Sequence, residues 1–236
     1  MENVNDVIKQ LAAAYDKWTE ERRKHIEKPT PLVLFGDEDS IFLKQVAKKA
    51  AKFDYPVVFN DLDLIYNDGC RGFIIDQETY NSRKVHNALV STNVDWARAV
   101  DIDHTFYPES AGMPAVATAV WRLINEICGD GCNGISGKDI TIVGRGSATN
   151  GLINKLIEDN ATVTVAHSYT KDMAFATMDR DVVVYATPQL TGEISYDTHD
   201  LVIDLGNAVS DPELFECPYT NRIGGLTTSI LLYRMM

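Results

Sequence analysis

A chain of 236 residues with 45% hydrophobic side chains is long enough to fill one large core or two modest ones. Its formal net charge of −12 argues against a nucleic-acid or anionic-membrane partner, because a polyanion is repelled over most of such a surface. No apolar run approaches the roughly 18 residues of a membrane span and Met1-Glu2-Asn3 opens no signal peptide, so a cytoplasmic setting is expected.

In chain order, residues 4–26 carry Val7, Ile8, Leu11, Ala14, Tyr15 and Trp18 at helical spacing, with basic residues gathered at the end, and predict an amphipathic first helix. Residues 31–35 read as a buried strand closed by Gly36-Asp37, and 40–53 as a second helix. Residues 57–60 and 72–75 read as two further strands. The acids of Asp101-Ile102-Asp103 point to one side if that segment is extended, either as a solvated loop edge or as a ligand contact. A helix over 115–127 follows. Residues 128–137, with four glycines and no apolar period, are the best linker candidate. The four cysteines are too few and too irregular for a disulfide framework, and Cys128 and Cys132 have no second ligand pair at zinc-like spacing. They are read as free thiols, and no metal is expected.

Residues 139–167 carry the strongest signal, a strand, a glycine turn, a helix and a second strand in under thirty residues. Ile140 to Val143 form the first strand, and Gly144 and Gly146 break it where a backbone must pass close to a pyrophosphate. The following helix has unpaired first-turn amides and the positive end of its dipole there, which suits an anion. Its stripe is Leu152, Ile153, Leu156 and Ile157, and residues 161–166 form the next strand. The glycine pattern is incomplete, with Asn150 and Gly151 where a third glycine would fall, and a plain crossover without ligand is the competing interpretation. The second strand runs into His167-Ser168-Tyr169-Thr170 with no acid before Asp172, while Arg145 sits inside the glycine turn. A cation and hydroxyls without a carboxylate favour NADP over NAD. Residues 182–186 and 201–204 read as two more parallel strands. Ile223-Gly224-Gly225 reads as a turn, and 227–236 as a terminal helix. Alternating helices and strands predict an α/β fold of two lobes, an N-terminal α/β lobe over 1–127 and a Rossmann-like parallel-sheet nucleotide-binding lobe over 128–223. The helix within 224–236 is free to pack back on the first lobe.

The pieces VLFGDEDS, GFIIDQ, VDIDHTFYPESAG, VGRGS, NATVTVAHSYT, DVVVYATP, LVIDLGN and IGGLTT, in this order, make the chain resemble the methylenetetrahydrofolate dehydrogenase/cyclohydrolase family nearly end to end. That resemblance implies a folate lobe coupled to a nucleotide lobe, a homodimer, and oxidation of 5,10-methylenetetrahydrofolate with NADP or NAD. It implies that Asp103 hydrogen-bonds the pterin ring. Gly144, Arg145, Gly146 and Ser147 would lie along the cofactor phosphates, His167 and Ser168 near the adenosine ribose, and Thr187 and Pro188 beside the nicotinamide. Gly224 and Gly225, in a shortened C-terminal loop, would border the folate pocket.

The departures bear on chemistry. The strand-end glutamine of the family is Gln77 displaced by one, or Asp76, in Asp76-Gln77-Glu78, and the family's PCTP turn is reduced to Pro114-Ala115-Val116-Ala117. Its cyclohydrolase pair, a tyrosine and a lysine four residues apart, falls on Phe42 and Val46 if the GDEDS loop is read as two residues short, or on Lys44 and Lys48 if it is read without a gap. Helical spacing favours the first alignment, because Phe42, Val46, Ala50 and Phe53 make one apolar stripe and Lys44, Lys48 and Lys52 a solvated one. The second leaves Lys48 as the catalytic candidate without its tyrosine. The expected activity is NADP-dependent oxidation of a reduced folate with cyclohydrolysis lost. The alternatives are a catalytically silent nucleotide-binding relative and an amino-acid-dehydrogenase-like enzyme of the same two-lobed plan.

Overall fold

Two separate parallel sheets organise the chain. The computed structural model describes residues 3–61, 63–64, 72–75, 113–131, 133–146, 149 and 151–235, and within 72–75 the only side chain described is Ile74. The helices are α1 Val4–Arg23, α2 Ile41–Ala51, α3 Ala115–Cys128, α4 Leu152–Glu158, α5 Met173–Thr177 and α6 Gly224–Met235. The strands are β1 Leu32–Phe35, β2 Val57–Phe59, β3 Gly72–Ile75, β4 Asp139–Val143, β5 Thr162–Ala166, β6 Val182–Tyr185, β7 Leu201–Asp204 and β8 Tyr219–Thr220. No described helix is long and apolar enough to cross a membrane. Cα proximity divides the chain into Met1–Leu11 with Val116–Leu226, and Ala12–Ala115 with Thr227–Met236. The division near α3 thus falls at 115/116, and that helix groups with the second sheet from Val116 onward.

The unit holding the first sheet has strand order β2-β1-β3, all parallel. Leu32, Val33, Leu34 and Phe35 are all buried, as a central strand covered on both faces requires. Asn60 ties the strand ends: its Oδ1 accepts from the Gly36 amide at 3.0 Å and its Nδ2 donates to the Gly36 carbonyl at 3.2 Å. Ser40 caps α2 by accepting from the Leu43 amide. Leu43, Val46 and Ala50 form the buried face of that helix, Phe42 is half-buried, and Lys44, Lys48 and Lys52 are exposed. The C-terminal helix belongs to this unit from Thr227. Tyr233 stands edge-on to Tyr15, centroids 5.4 Å apart, beneath the Arg22 guanidinium at 4.0 Å. Lys49 reaches Asp16 at 3.0 Å and donates to Ser229.

The other unit carries a parallel sheet of order β5-β4-β6-β7-β8. This is the 2-1-3-4-5 order of a doubly wound nucleotide-binding fold. Strands β6 and β7 are buried throughout, whereas in the edge strand β5 only Ala166 is buried. Two elements lack any sequence forecast. Helix α5 is only five residues long, capped by Asp172 accepting from the Phe175 amide at 2.9 Å and tied to β4 by the Thr141 hydroxyl donating to the Ala176 carbonyl at 2.8 Å. Strand β8 has two residues.

Three local expectations need correction. The linker expected over 128–137 holds bonded chain at its described residues: the Asp130 amide donates to the Gly134 carbonyl at 3.0 Å, and Ile135 is fully buried. Gly224 and Gly225 open α6 instead of forming a turn before it. Ile157, counted in the apolar stripe of α4, is 55% exposed, because only Leu152 and Leu156 reach the core.

Helices α3 and α4 are joined by one polar contact. The Asp159 carboxylate, at the end of α4, accepts from the Trp121 indole and from Lys155, each at 2.7 Å. Burial alone would raise the pKa of this carboxyl, but the Lys155 and Trp121 hydrogen bonds outweigh it and hold the group below its ordinary value. Its stabilising contribution is therefore present above the unfolded value of about 3.9 and is lost as pH falls toward the lower folded value. Asp159→Asn is expected to cost about 1 kcal/mol at neutral pH. In denaturant unfolding, its gap to the parent should close below about pH 4. A gap that does not change with pH would contradict this.

Candidate functional site

The sheet order places a topological switch point between β4 and β6, where one connection leaves toward β5 and the next toward β7. A crevice of about 280 Å³ opens there, beyond the carboxyl ends of the strands. It brings together Gly144, Arg145, Gly146, His167, Ser168, Thr187 and Pro188, seven of the residues singled out in the sequence. Ser147, Asp76, Gln77 and Asp103 lie outside the described residues. Lys48, Gly224 and Gly225 do not line this crevice. Lys48 is exposed on α2, and both glycines are exposed at the start of α6.

Gly144 has φ of +119°, and a Cβ there would meet the Ala186 carbonyl oxygen at 2.5 Å. Two constraints thus coincide, a backbone region that L side chains rarely adopt and a main-chain contact that excludes any side chain. The Gly144 amide donates to the Ala166 carbonyl at 2.8 Å and the Ala186 amide to the Val143 carbonyl at 2.8 Å, so three strand ends are fastened at one point. A Cβ on Gly146 would meet nothing within 4 Å, which leaves open room beside the turn for a bulky anion. The Thr149 amide and hydroxyl both donate to the Gly146 carbonyl, at 3.0 and 2.8 Å, and close the turn. Gly151 then enters α4 from φ +75° as its N-cap, which accounts for a glycine near the third position of the pattern.

One side of the crevice is built by the end of β5. The His167 Nδ1 accepts from the Tyr169 amide at 3.2 Å, which leaves Nε2 to carry the proton of the neutral ring. The His167 carbonyl accepts from the Thr170 amide at 2.7 Å, and its own amide donates to the Thr170 hydroxyl at 2.9 Å. The ring is thereby held in a tight turn. Asp172, the first acid after the strand, is engaged as the cap of α5. Arg145 is exposed, without an ion pair or hydrogen bond among the described residues.

On the β6 side the Thr187 hydroxyl donates to the Gln189 carbonyl at 2.9 Å, so its proton serves the local turn. Met173, Ala186, Gln189, Leu190 and Thr191 also line the crevice and had no signal in the sequence beyond following the Thr187-Pro188 turn. A larger hollow of about 590 Å³ lies at the opposite end of the same sheet, beside Lys138, His199, Asp200 and the thiols of Cys128 and Cys217. Lys138 there is bound to Asp200 at 2.7 Å and Asp181 at 3.5 Å. Burial pushes the Cys128 thiol up to about 12. Among the described residues that end has no glycine approach, and ligands of open α/β sheets take the carboxyl ends of the strands, so the smaller crevice is the candidate site. No metal-binding group of His, Cys, Asp or Glu exists among the described residues.

Residues 114–216 match the tetrahydrofolate dehydrogenase/cyclohydrolase NAD(P)-binding domain model. This segment is similar to the NAD(P)-binding domain of that family. The chain is 29% identical over 158 residues to the bifunctional protein FolD of Staphylococcus carnosus (strain TM300), which takes in 64% of this chain and 54% of that protein. The match thus spans about half the relative's length. The bifunctional protein FolD of Clostridium botulinum (strain Eklund 17B / Type B) is 23% identical over 269 alignment positions, 98% of this chain and 94% of that protein. The fold is that of the N5,N10-methylenetetrahydrofolate dehydrogenase-cyclohydrolase of Trypanosoma brucei, solved with NADP cofactor and inhibitor. That structure superposes with a TM-score of 0.70 at 20% identity, covering 100% of this chain and 95% of that one.

Within this segment, Gly144 makes the sharpest test. Gly144→Ala is expected to lower stability by about 1–3 kcal/mol through strain at the positive φ and the clash with Ala186, and to weaken nicotinamide nucleotide binding. Thermal unfolding and a cofactor titration check both effects. A variant with parental stability and affinity would show that the close approach is not needed.

Proposed function

We propose that this chain is an NADP-dependent oxidoreductase that transfers a hydride between the 5,10-methylene form of a reduced folate and NADP. The observation that carries this reading is the glycine-floored crevice at the β4/β6 switch point, inside a segment that matches the NAD(P)-binding domain model of the tetrahydrofolate dehydrogenase/cyclohydrolase family. The absence of a free acid at the end of β5, together with the exposed Arg145, supports NADP over NAD. The Trypanosoma brucei relative solved with NADP supports the same choice.

The cofactor accepts the hydride, and the protein's work is binding, orientation and exclusion of water. Gly144 and Gly146, with Ser147, would leave room for the phosphates, Arg145 would pair with the 2′-phosphate, and His167 and Ser168 would flank the ribose. Ala186, Thr187 and Pro188 would wall the nicotinamide. On the folate side the family resemblance assigns Asp103 to the pterin, with Asp76 or Gln77 and Gly224-Gly225 nearby. Cyclohydrolysis is read as lost. Lys44 is paired with Asp39 at 2.6 Å, Lys48 is exposed, and the positions that alternate with them on α2 are the apolar Phe42 and Val46. The same apolar pair is what favours the second reading, a catalytically silent nucleotide-binding relative.

NADP is expected to bind more tightly than NAD, and Arg145→Ala to remove most of the difference. A charge-assisted pair contributes roughly 1.5–3 kcal/mol, or about 10- to 100-fold in affinity. Calorimetric titration of both cofactors reads it directly, and equal affinities in the parent would sink the preference. With methylenetetrahydrofolate as substrate, NADPH should form, while hydrolysis of the methenyl product should stay at the background rate in the parent and in Lys48→Met alike. Fast hydrolysis that disappears in Lys48→Met would restore the ungapped alignment and make Lys48 catalytic.

A further inference from the structure

We infer that Asp204 is a positioning residue for the nicotinamide half of the cofactor, acting through the Gly206 turn on the Thr187-Pro188 wall of the crevice. The inference rests on the NADP reading above. Asp204 ends β7 and is 1% exposed. Its Oδ1 accepts from the Gly206 amide at 3.2 Å and the Ala208 amide at 3.1 Å. Its Oδ2 accepts from the Val209 amide at 3.0 Å and the Tyr219 hydroxyl at 3.1 Å. Four donors converge on one carboxyl group, two on each oxygen.

The consequence lies two residues further on. A Cβ on Gly206 would stand 1.9 Å from the Thr187 carbonyl oxygen and 2.9 Å from the Pro188 nitrogen, so the turn wound around Asp204 presses main chain against main chain on the segment that lines the crevice. The neighbouring Leu205 amide donates to the Tyr185 carbonyl at 2.8 Å, and Asp204 is the register partner of Tyr185 at the end of β6. The wall is therefore held from behind by β7, and the carboxylate sets the turn that holds it. Asp204 does not itself line the crevice, which makes its role indirect. Burial and the nearby Asp204 charge push Tyr219 up to about 12, so its hydroxyl remains a donor throughout the working pH range.

The test is calorimetric binding of two probes, NADP and 2′,5′-ADP, to the parent, Asp204→Asn, Gly206→Ala and Tyr219→Phe. The second probe carries the adenosine end and 2′-phosphate but no nicotinamide. Asp204→Asn keeps the shape but turns an NH₂ toward two existing donors, and Gly206→Ala disturbs the wall with the carboxylate intact. Both should weaken NADP by about tenfold or more while 2′,5′-ADP stays within about twofold, and Tyr219→Phe, which leaves three amide donors, should shift NADP in the same direction by less. Parental NADP affinity in Asp204→Asn and Gly206→Ala would overturn the role. So would an equal loss for both probes, which is what general destabilisation produces. Should Asp204→Asn fail to fold, Gly206→Ala decides alone. Failure of the parent to bind either probe rejects the NADP reading and this role with it, whereas parental binding followed by uniform loss rejects this role only.

Discussion

The approach of the Gly144 backbone to the Ala186 carbonyl is the constraint on which the site depends. Parallel strands that connect in opposite directions leave a gap at their carboxyl ends, and its floor is as deep as the main chains allow. At Gly144 a side chain would stand 2.5 Å from the neighbouring carbonyl, so the floor is bare backbone. Gly206 repeats the arrangement against Thr187 on the far side of β6. Two main-chain contacts without side chains thus fix the end of one strand from both neighbours, and the crevice inherits its shape from them.

Electrostatics divides the unit differently. The chain carries a formal charge of −12, and acids crowd the amino ends of the second sheet, where Asp181 and Asp200 hold Lys138. At the carboxyl ends two acids are engaged within the protein. Asp172 caps α5, and Asp204 is enclosed by four donors. On the proposed reading, an anionic cofactor would be met at the crevice by Arg145 and the His167 turn, with no carboxylate among the residues that line it.

Much of this was legible in the sequence, for reasons that differ by element. Strands such as 182–185 and 201–204 are short apolar β-branched runs because both faces of a parallel strand are buried, and few other environments favour that composition. The glycine turn announced itself because Gly144 and Gly146 follow such a run. What stayed hidden is made by non-local contacts. Residues 128–137 look like a linker by composition, and only the burial of Ile135 and the bond from the Asp130 amide to the Gly134 carbonyl tie that segment to the unit. Helix α5 is too short for periodicity, and β8 exists because β7 lies beside it. Asp204 reads as an ordinary acid before a Leu-Gly turn, since nothing local tells that three following amides and Tyr219 fold around it. On the site itself, the carboxyl-end residues of β4, β5 and β6 were anticipated and converge, while Met173 and the 189–191 segment came only with the folded chain.

Hydrogen exchange read by mass spectrometry, with and without NADP, tests the central claim most directly, because amides that a bound cofactor covers or steadies exchange more slowly. The account predicts protection in the peptides that cover 143–151, 166–170 and 186–191, with those at the amino ends of the same strands, around 138 and 199–200, unchanged. Protection concentrated at those amino ends, or none anywhere at saturating NADP, would contradict it.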